Sequence, residues 1–242
     1  MEKRIALVTG GVTGIGNAIA CAFAEKGYHV LVGDVDEARG KAMEGGSADV
    51  SFRLCDVTAE GQVRHLVSDV HSEFGRIDVL INNAGIIRRR TGEEISVSDW
   101  DDVFAVNARG AFLLCTYVSP IMKSQRRGRI VNVSSIAGKL GDITSAPGYG
   151  PSKAAMDALT KTFARELAPY GVTVNGVAPH AIQTEMSAQW SEEKRREIID
   201  AIPLKRLGQP HEVAAAVLFL VSDDAGFITG EIIDVNGGMI MD

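Results

Sequence analysis

The run Thr9-Gly10-Gly11-Val12-Thr13-Gly14-Ile15-Gly16 decides the fold, because of what stands on either side of it. Ile5-Ala6-Leu7-Val8 precedes it as a short apolar run of strand length, and Ile15, Ile19, Ala20 and Phe23 follow at helical spacing. A strand, a glycine-rich turn and a helix opening directly from that turn form the context in which backbone amides cradle a phosphate. Glycine at 10, 14 and 16 lets the chain turn tightly and approach a ligand closely. The free amides and the dipole at the helix start then favour negative charge. The spacing is Gly-x-x-x-Gly-x-Gly, not the commoner Gly-x-Gly-x-x-Gly. Its place at the first strand-to-helix turn points to a dinucleotide pyrophosphate rather than to a plain connection.

Outward from this turn the alternation repeats. Short apolar runs lie at Ile5 to Val8, Val30 to Val32, Val50 to Cys55, Val79 to Ile81, Ile130 to Val133, Val172 to Val177 and Ile232 to Val235. Helical patterns separate them, from Asp36 to about Glu44, Val63 to Phe74, Ser98 to Met122, Ala154 to Leu167 and Val213 to Val221. Such alternation is the mark of β-α-β units and a parallel sheet covered on both faces. No Pro/Gly/Ser-rich linker, repeat or low-complexity segment divides the chain. The prediction is α/β: one Rossmann-type domain over residues 1–242, a doubly wound, seven-stranded parallel sheet. The stretch Ala178 to Gln209, with Trp190 and the charged run Glu192 to Arg196, shows no strand. A connection of that length predicts a substrate loop or lid at about 180–209.

Composition narrows the partners. With 45% hydrophobic and 23% charged residues, the 242-residue chain is neither disordered nor fibrous. Its 26 glycines exceed the usual share of ~7%. A net charge of −6 carries no electrostatic footprint for nucleic acid. Cys21, Cys55 and Cys115 are odd in number and far apart, which suggests neither a disulfide framework nor a metal site and leads us to expect a reducing cytoplasm. The apolar run after Met1 is too short for a signal-peptide core, and no stretch of ~18 apolar residues calls for a membrane.

Asp34 closes the second predicted strand, 18 residues after Gly16. A carboxylate there accepts hydrogen bonds from ribose hydroxyls and repels a 2′-phosphate, and neither Thr13 nor Val35 supplies a compensating cation. The competing reading, a helix-capping aspartate, is a task that Asp36 could perform instead. The expected cofactor is therefore NAD (NADH) rather than NADP.

Several further motifs stand in order: Asp56-Val57, Asn82-Asn83-Ala84-Gly85, Asn107, Ser134-Ser135, Tyr149-Gly150-Pro151-Ser152-Lys153 and Asp234-Val235-Asn236-Gly237-Gly238. With Thr9 to Gly16 they make the chain resemble the short-chain dehydrogenase/reductase family along essentially its whole length. The resemblance implies a cofactor site from Gly10, Thr13, Gly14, Ile15, Gly16, Asp34 and Val35. Asp56 and Val57 would hold the adenine, and Asn83, Ala84 and Gly85 would lie along the adenine ribose and brace the central strand. Pro179, Ile182 and Thr184 would lie near the nicotinamide. It further implies that Ser135 bonds the substrate oxygen, Tyr149 exchanges its proton, Lys153 binds the nicotinamide ribose and Asn107 holds a water. Ser134 competes with Ser135, which alignment on Gly138 favours.

The residues themselves support that chemistry. Tyr149 and Lys153 are four apart at the start of a helical pattern and so share a face. A tyrosine of pKa ~10 is a poor base at neutral pH, and an adjacent ammonium favours its phenolate. Two features depart from the family. Pro179-His180 stands where Pro-Gly is usual, placing His180 either in the substrate pocket or in a solvated turn. The stretch Asp142 to Gly148 is one residue longer than in acyl-carrier-protein reductases. Met186 and Trp190 are further candidates for substrate contact. Arg88-Arg89-Arg90 reads either as a solvated run or as an anion-binding rim.

The chain is most similar to 3-oxoacyl-[acyl-carrier-protein] reductases, through Ile202 to Pro210 and Asn236 to Met241. Those enzymes mostly use NADPH and present two basic residues to the carrier; here Arg126 matches one position, but Tyr170 stands at the other. The alternative is a sugar-acid or polyol dehydrogenase, which Asn82 to Arg89 resembles. A non-catalytic dinucleotide sensor is disfavoured by the intact Asn107, Ser135, Tyr149 and Lys153. The long helices, with Phe104, Phe112, Leu113 and Leu114 on more than one face, together with the family's habit, lead us to expect a homotetramer.

Overall fold

Leu7, Leu31, Leu80, Ile130 and Val174 form one continuous row across five strands, each side chain in register with the next. The computed structural model describes residues 3–141 and 145–241. Its strands are β1 (Ile5–Thr9), β2 (His29–Asp34), β3 (Val50–Leu54), β4 (Val79–Asn82), β5 (Gly128–Val133), β6 (Val172–Pro179) and β7 (Ile232–Val235). They form the predicted seven-stranded parallel sheet, in the order β3-β2-β1-β4-β5-β6-β7.

Strand periodicity then builds two cores. The leucine row buries against α3 (Glu60–Phe74), α5 (Gly110–Gln125) and α7 (Tyr149–Leu167), meeting Val63, Leu114, Met122 and Leu167. The alternate residues Ala6, Val8, Val30, Val32, Ile81 and Val131 face α1 (Gly14–Glu25) and α9 (Pro210–Val221), where Ile19, Phe23, Val213 and Val217 meet them. Each large side chain fully buried in this way contributes ~1.5–3 kcal/mol. Shifting a strand's register by one residue would exchange the two faces, so the pattern specifies the register.

A buried polar ladder fastens α7 to the sheet. Asn82 Nδ2 on β4 donates to Asn132 Oδ1 on β5 at 2.7 Å, and Asn132 Nδ2 donates to Thr160 Oγ1 on α7, also at 2.7 Å. The chain winds from β1 towards β3 and then, from β4, in the opposite direction. That reversal leaves a crevice beyond the carboxyl ends of β1 and β4, where open α/β sheets bind ligands.

The remaining helices are α2 (Glu37–Gly46), α4 (Val97–Phe104), the short α6 (Ala137–Leu140) and α8 (Glu192–Ala201). The helix expected from Ser98 to Met122 is α4 and α5 joined through a π-helical turn, Ala105–Arg109. The helix expected to begin at Ala154 begins at Tyr149. The strandless stretch after β6 holds α8 and a 3₁₀ turn, Ser187–Gln189, and its base is stapled by a bridge between Ile182 and Gly208. Among the described residues no helix is long and apolar enough to cross a membrane.

Candidate active site

The crevice is a cleft of about 420 Å³ that runs from the β2 terminus to the start of α7. At its centre Gly10 and Gly14 adopt left-handed φ angles of +63° and +53°. A Cβ on Gly10 would stand 2.7 Å from the Ala84 Cα, so only glycine lets β1 pass so close to β4. Thr13 is the N-cap of α1 but makes no capping bond with its side chain, so it leaves the orphan first-turn amides to another partner. Gly10, Thr13, Gly14 and Ile15 line the cleft. Gly16 does not. It packs behind them, where a Cβ would lie 2.1 Å from the Gly10 carbonyl oxygen and 2.4 Å from Asn83 Nδ2. Close helix–strand packing is what requires glycine at this position.

At the outer end, Asp34 accepts hydrogen bonds from the amides of Val12 (3.3 Å) and Asp36 (3.1 Å). Asp36 caps α2, accepting from the Arg39 amide at 3.0 Å, so the capping role falls to Asp36 and not to Asp34. Val35 is exposed on the cleft rim. Asp56 Oδ1 accepts from both the amide and the hydroxyl of Thr58 at 2.8 Å, while Val57 is buried against Gly110. Asn83 Nδ2 donates to the carbonyls of Thr9 and Gly10, and the amides of Asn83 and Ala84 both reach Thr9 Oγ1. These bonds brace β1 against β4, while Asn83, Ala84 and Gly85 line the cleft.

At the inner end, Tyr149 is the first residue of α7, entered through Gly148 at φ +129° against the Trp100 ring. Lys153 Nζ lies 5.8 Å from the Tyr149 ring centroid and donates to the Val133 carbonyl at 2.7 Å. Lys153 is buried, and desolvation pushes its ammonium down to about 8 while Asp157 pulls the other way. Ser134 and Ser135 both line the cleft; Ser134 is buried, with its hydroxyl 3.4 Å from the Lys153 carbonyl, and Ser135, half-buried, accepts from the Ala137 amide. Ser135 is the more exposed of the two.

Asn107 stands in the π-helical turn, fully buried behind Gly85. Its Oδ1 accepts from the Ile86 amide and its Nδ2 donates to the Ile86 carbonyl and the Ser152 hydroxyl. Both side-chain donors are thus committed, and a water would have to bond to the main chain or to the remaining Oδ1 lone pair.

Pro179 at the end of β6 and His180, Ile182, Thr184, Met186 and Trp190 of the loop after it close the cleft. His180 lies in this wall, and burial lowers the pKa of its ring. The three arginines separate. Arg88 and Arg90 pair with Asp99, and Arg88 also with Asp102, whereas Arg89 enters the cleft wall beneath the Trp190 ring and donates to the Met186 carbonyl. The lengthened segment at 142–144 lies outside the described residues.

The chain matches the family model described as enoyl-(acyl carrier protein) reductase over residues 10–240. It is similar to 3-oxoacyl-[acyl-carrier-protein] reductase FabG of Thermotoga maritima, 40% identical across all of this chain and 99% of that protein. The FabG proteins of Staphylococcus epidermidis and Aquifex aeolicus are 43% and 40% identical, over 99% of this chain and 100% and 98% of theirs. The chain belongs to the short-chain dehydrogenase/reductase family.

As a short-chain dehydrogenase/reductase it is an oxidoreductase that works with a nicotinamide dinucleotide. The site fits such a group. An uncapped helix start suits the pyrophosphate, and the glycines that no Cβ could replace allow its close approach. Two further elements of this short-chain dehydrogenase/reductase site are not legible in the sequence. The π-helical turn is hidden because the phase shift it puts into the apolar stripe reads, in sequence, as one long helix with apolar residues on more than one face. The packing of Arg89 against Trp190 joins positions about a hundred residues apart, beyond any local signal.

Proposed function

We propose that this protein is an NAD(H)-dependent reductase of 3-oxoacyl thioesters. The observation that carries the reading is the convergence of Ser135, Tyr149 and Lys153 on one end of a cleft whose other end is Asp34. Bound nicotinamide dinucleotide would supply the hydride. Ser135 Oγ hydrogen-bonds the substrate carbonyl, and the Tyr149 hydroxyl delivers the proton to the same oxygen. Lys153 would hold the nicotinamide ribose, and its ammonium favours the phenolate left on Tyr149. Asn107 keeps the Gly85–Ile86 segment after β4 in place and would pass protons through a water. His180, Met186 and Trp190 line the space left for substrate.

The preference for NAD over NADP is supported at the Asp34 end. The cations among the described cleft-lining residues, Arg89 and Lys153, lie at the opposite end. Arg39, on α2, bonds Asp36 and Glu185. A second reading, a sugar-acid dehydrogenase, is favoured by Arg89, a cation in the substrate wall. Two outward rings, Phe104 and Phe112, lie along α4 and α5 beside Leu159 of α7. This face supports the pairing of two copies within a homotetramer. Three free cysteines, one exposed, suit the cytoplasm.

A turnover screen with NADH and NADPH over 3-oxoacyl thioesters, sugar acids and polyols, at fixed ionic strength, tests the proposal. Thioester turnover with NADH supports it. Turnover confined to sugar acids selects the second reading, and cofactor binding without any turnover would mark a sensor.

A further inference from the structure

The substrate end of the cleft carries a charge that the proposed chemistry does not use. Arg89 and Lys153 are the cations among the described cleft-lining residues, and Lys153 is assigned to the nicotinamide ribose. Of the run Arg88-Arg89-Arg90, only the middle member lines the cleft. The acids of this region go to other arginines: Asp99 to Arg88 and Arg90, Asp102 to Arg88, and Glu185, on the same wall, to Arg39 at 3.1 Å. Arg89 is half-buried, donates to the Met186 carbonyl at 3.1 Å and lies 5.7 Å from the Trp190 ring centroid. Both contacts come from the loop after β6, so the guanidinium is set in the wall and does not sweep through solvent. Packing against the indole orients its planar fork of N–H donors, the geometry that matches a carboxylate. The neighbouring groups are polar as well. Trp190 Nε1 is buried without a hydrogen-bond partner among the described residues, and such a donor calls for an acceptor. Burial lowers the pKa of the His180 ring, which therefore adds a donor and an acceptor to the wall but no second positive charge.

We propose that Arg89 is a specificity-determining residue: it binds a carboxylate that the substrate carries besides its reacting carbonyl. The inference rests on the roles assigned above to Ser135 and Tyr149, which put the reacting carbonyl at this end of the cleft. Two kinds of substrate offer that chemistry, a 3-oxoacyl thioester whose acyl chain ends in a carboxylate and a sugar acid. Either one meets a fixed guanidinium, whereas a plain acyl chain would leave that charge facing methylene groups.

The test uses substrate pairs matched in length that differ by one carboxylate, at fixed ionic strength. Reduction of 3-oxoadipyl-pantetheine is compared with that of 3-oxohexanoyl-pantetheine, and oxidation of D-gluconate with that of D-glucitol. In the pair that the protein turns over, kcat/KM should favour the charged member by roughly ten- to a hundredfold. Arg89→Met should abolish that ratio and Arg89→Lys should keep part of it; Arg89→Gln replaces the methionine variant if that does not fold. The responding pair identifies which source of carboxylate the site takes. A ratio near one in the unmodified protein, or equal losses for both members in Arg89→Met, would overturn the proposal and mark Arg89 as a clamp on the loop. Where neither pair is turned over, the thioester reading falls by itself and calorimetric titration of adipate onto the NADH-loaded protein decides. Binding weakened at least roughly tenfold by Arg89→Met supports the inference, and binding that is absent or indifferent to the substitution ends it. Equal turnover of both thioesters would end the inference and leave the thioester reading standing.

Discussion

Two amides hold the Asp34 carboxylate at the end of β2, and Asp36 relieves it of the capping task. A charged acceptor fixed in this way is worth ~1.5–3 kcal/mol to the hydroxyls it binds. Asp34→Ala should therefore lower kcat/KM for NADH by roughly ten- to a hundredfold and bring it towards that for NADPH; comparable efficiencies with both cofactors before mutation would contradict the assignment. Lys153 makes a prediction about pH. Its folded pKa of about 8 lies below the ordinary lysine value of 10.5, so between those values the unfolded chain binds a proton that the folded chain has released. Stability from this group rises with pH across that window, by on the order of 3 kcal/mol at most. Urea midpoints of the unmodified protein should therefore gain on those of Lys153→Met between pH 7 and pH 10. At this scale the sequence shows which residue types are needed but not always where they point. Asp34, Tyr149 and Lys153 are legible because a strand end and a helical spacing place them. Ser134 and Ser135 are separable only by resemblance, since both follow the end of β5 and both border the cleft. The split of Arg88, Arg89 and Arg90 depends on Asp99, Asp102 and Trp190, which tertiary structure brings near.

Among the elements, the turn between β1 and α1 is the most constrained. Gly16 has no room for a methyl group, since the Gly10 carbonyl is rigid backbone. Gly16→Ala should destabilise the fold by ~1–3 kcal/mol, as overpacking does, and weaken cofactor binding through the displaced turn. Gly61, in the first turn of α3, has nothing within 4 Å of the position that a methyl group would take, so Gly61→Ala should be neutral or stabilising by up to about 1 kcal/mol. Equal losses from the two substitutions in thermal melts would show that glycine content, not packing, governs the turn. The strands are readable because each is a short apolar run between breakers. The interruption of the helix at Ala105–Arg109 is not, because the shift a π turn puts into the apolar stripe reads as a single helix with apolar residues on more than one face. The helix α8 is hidden by a sequence so charged that its single buried residue, Ile198, gives no periodicity.

For the whole molecule, the order of the sheet follows from registered apolar rows, and the reversal between β1 and β4 places the cleft. Assembly is the property that a single chain shows least directly. The apolar residues expected on more than one face of these helices divide accordingly: Leu113 and Leu114 belong to the inner core, while Phe104 and Phe112 lie on the opposite side. Phe112 is 45% exposed, and Phe112→Asp should convert a homotetramer into smaller species by light scattering; a monomer at micromolar concentration before mutation would exclude the assembly. The chemistry depends most on one hydroxyl. Tyr149→Phe removes it and leaves the ring, Lys153 and the glycine turn in place. The decisive measurement is kcat of this variant, taken with its NADH dissociation constant. We predict a loss of at least ~10²–10⁴-fold in kcat with unchanged NADH binding. A variant that binds NADH normally and keeps most of its turnover would contradict Tyr149 as the proton donor.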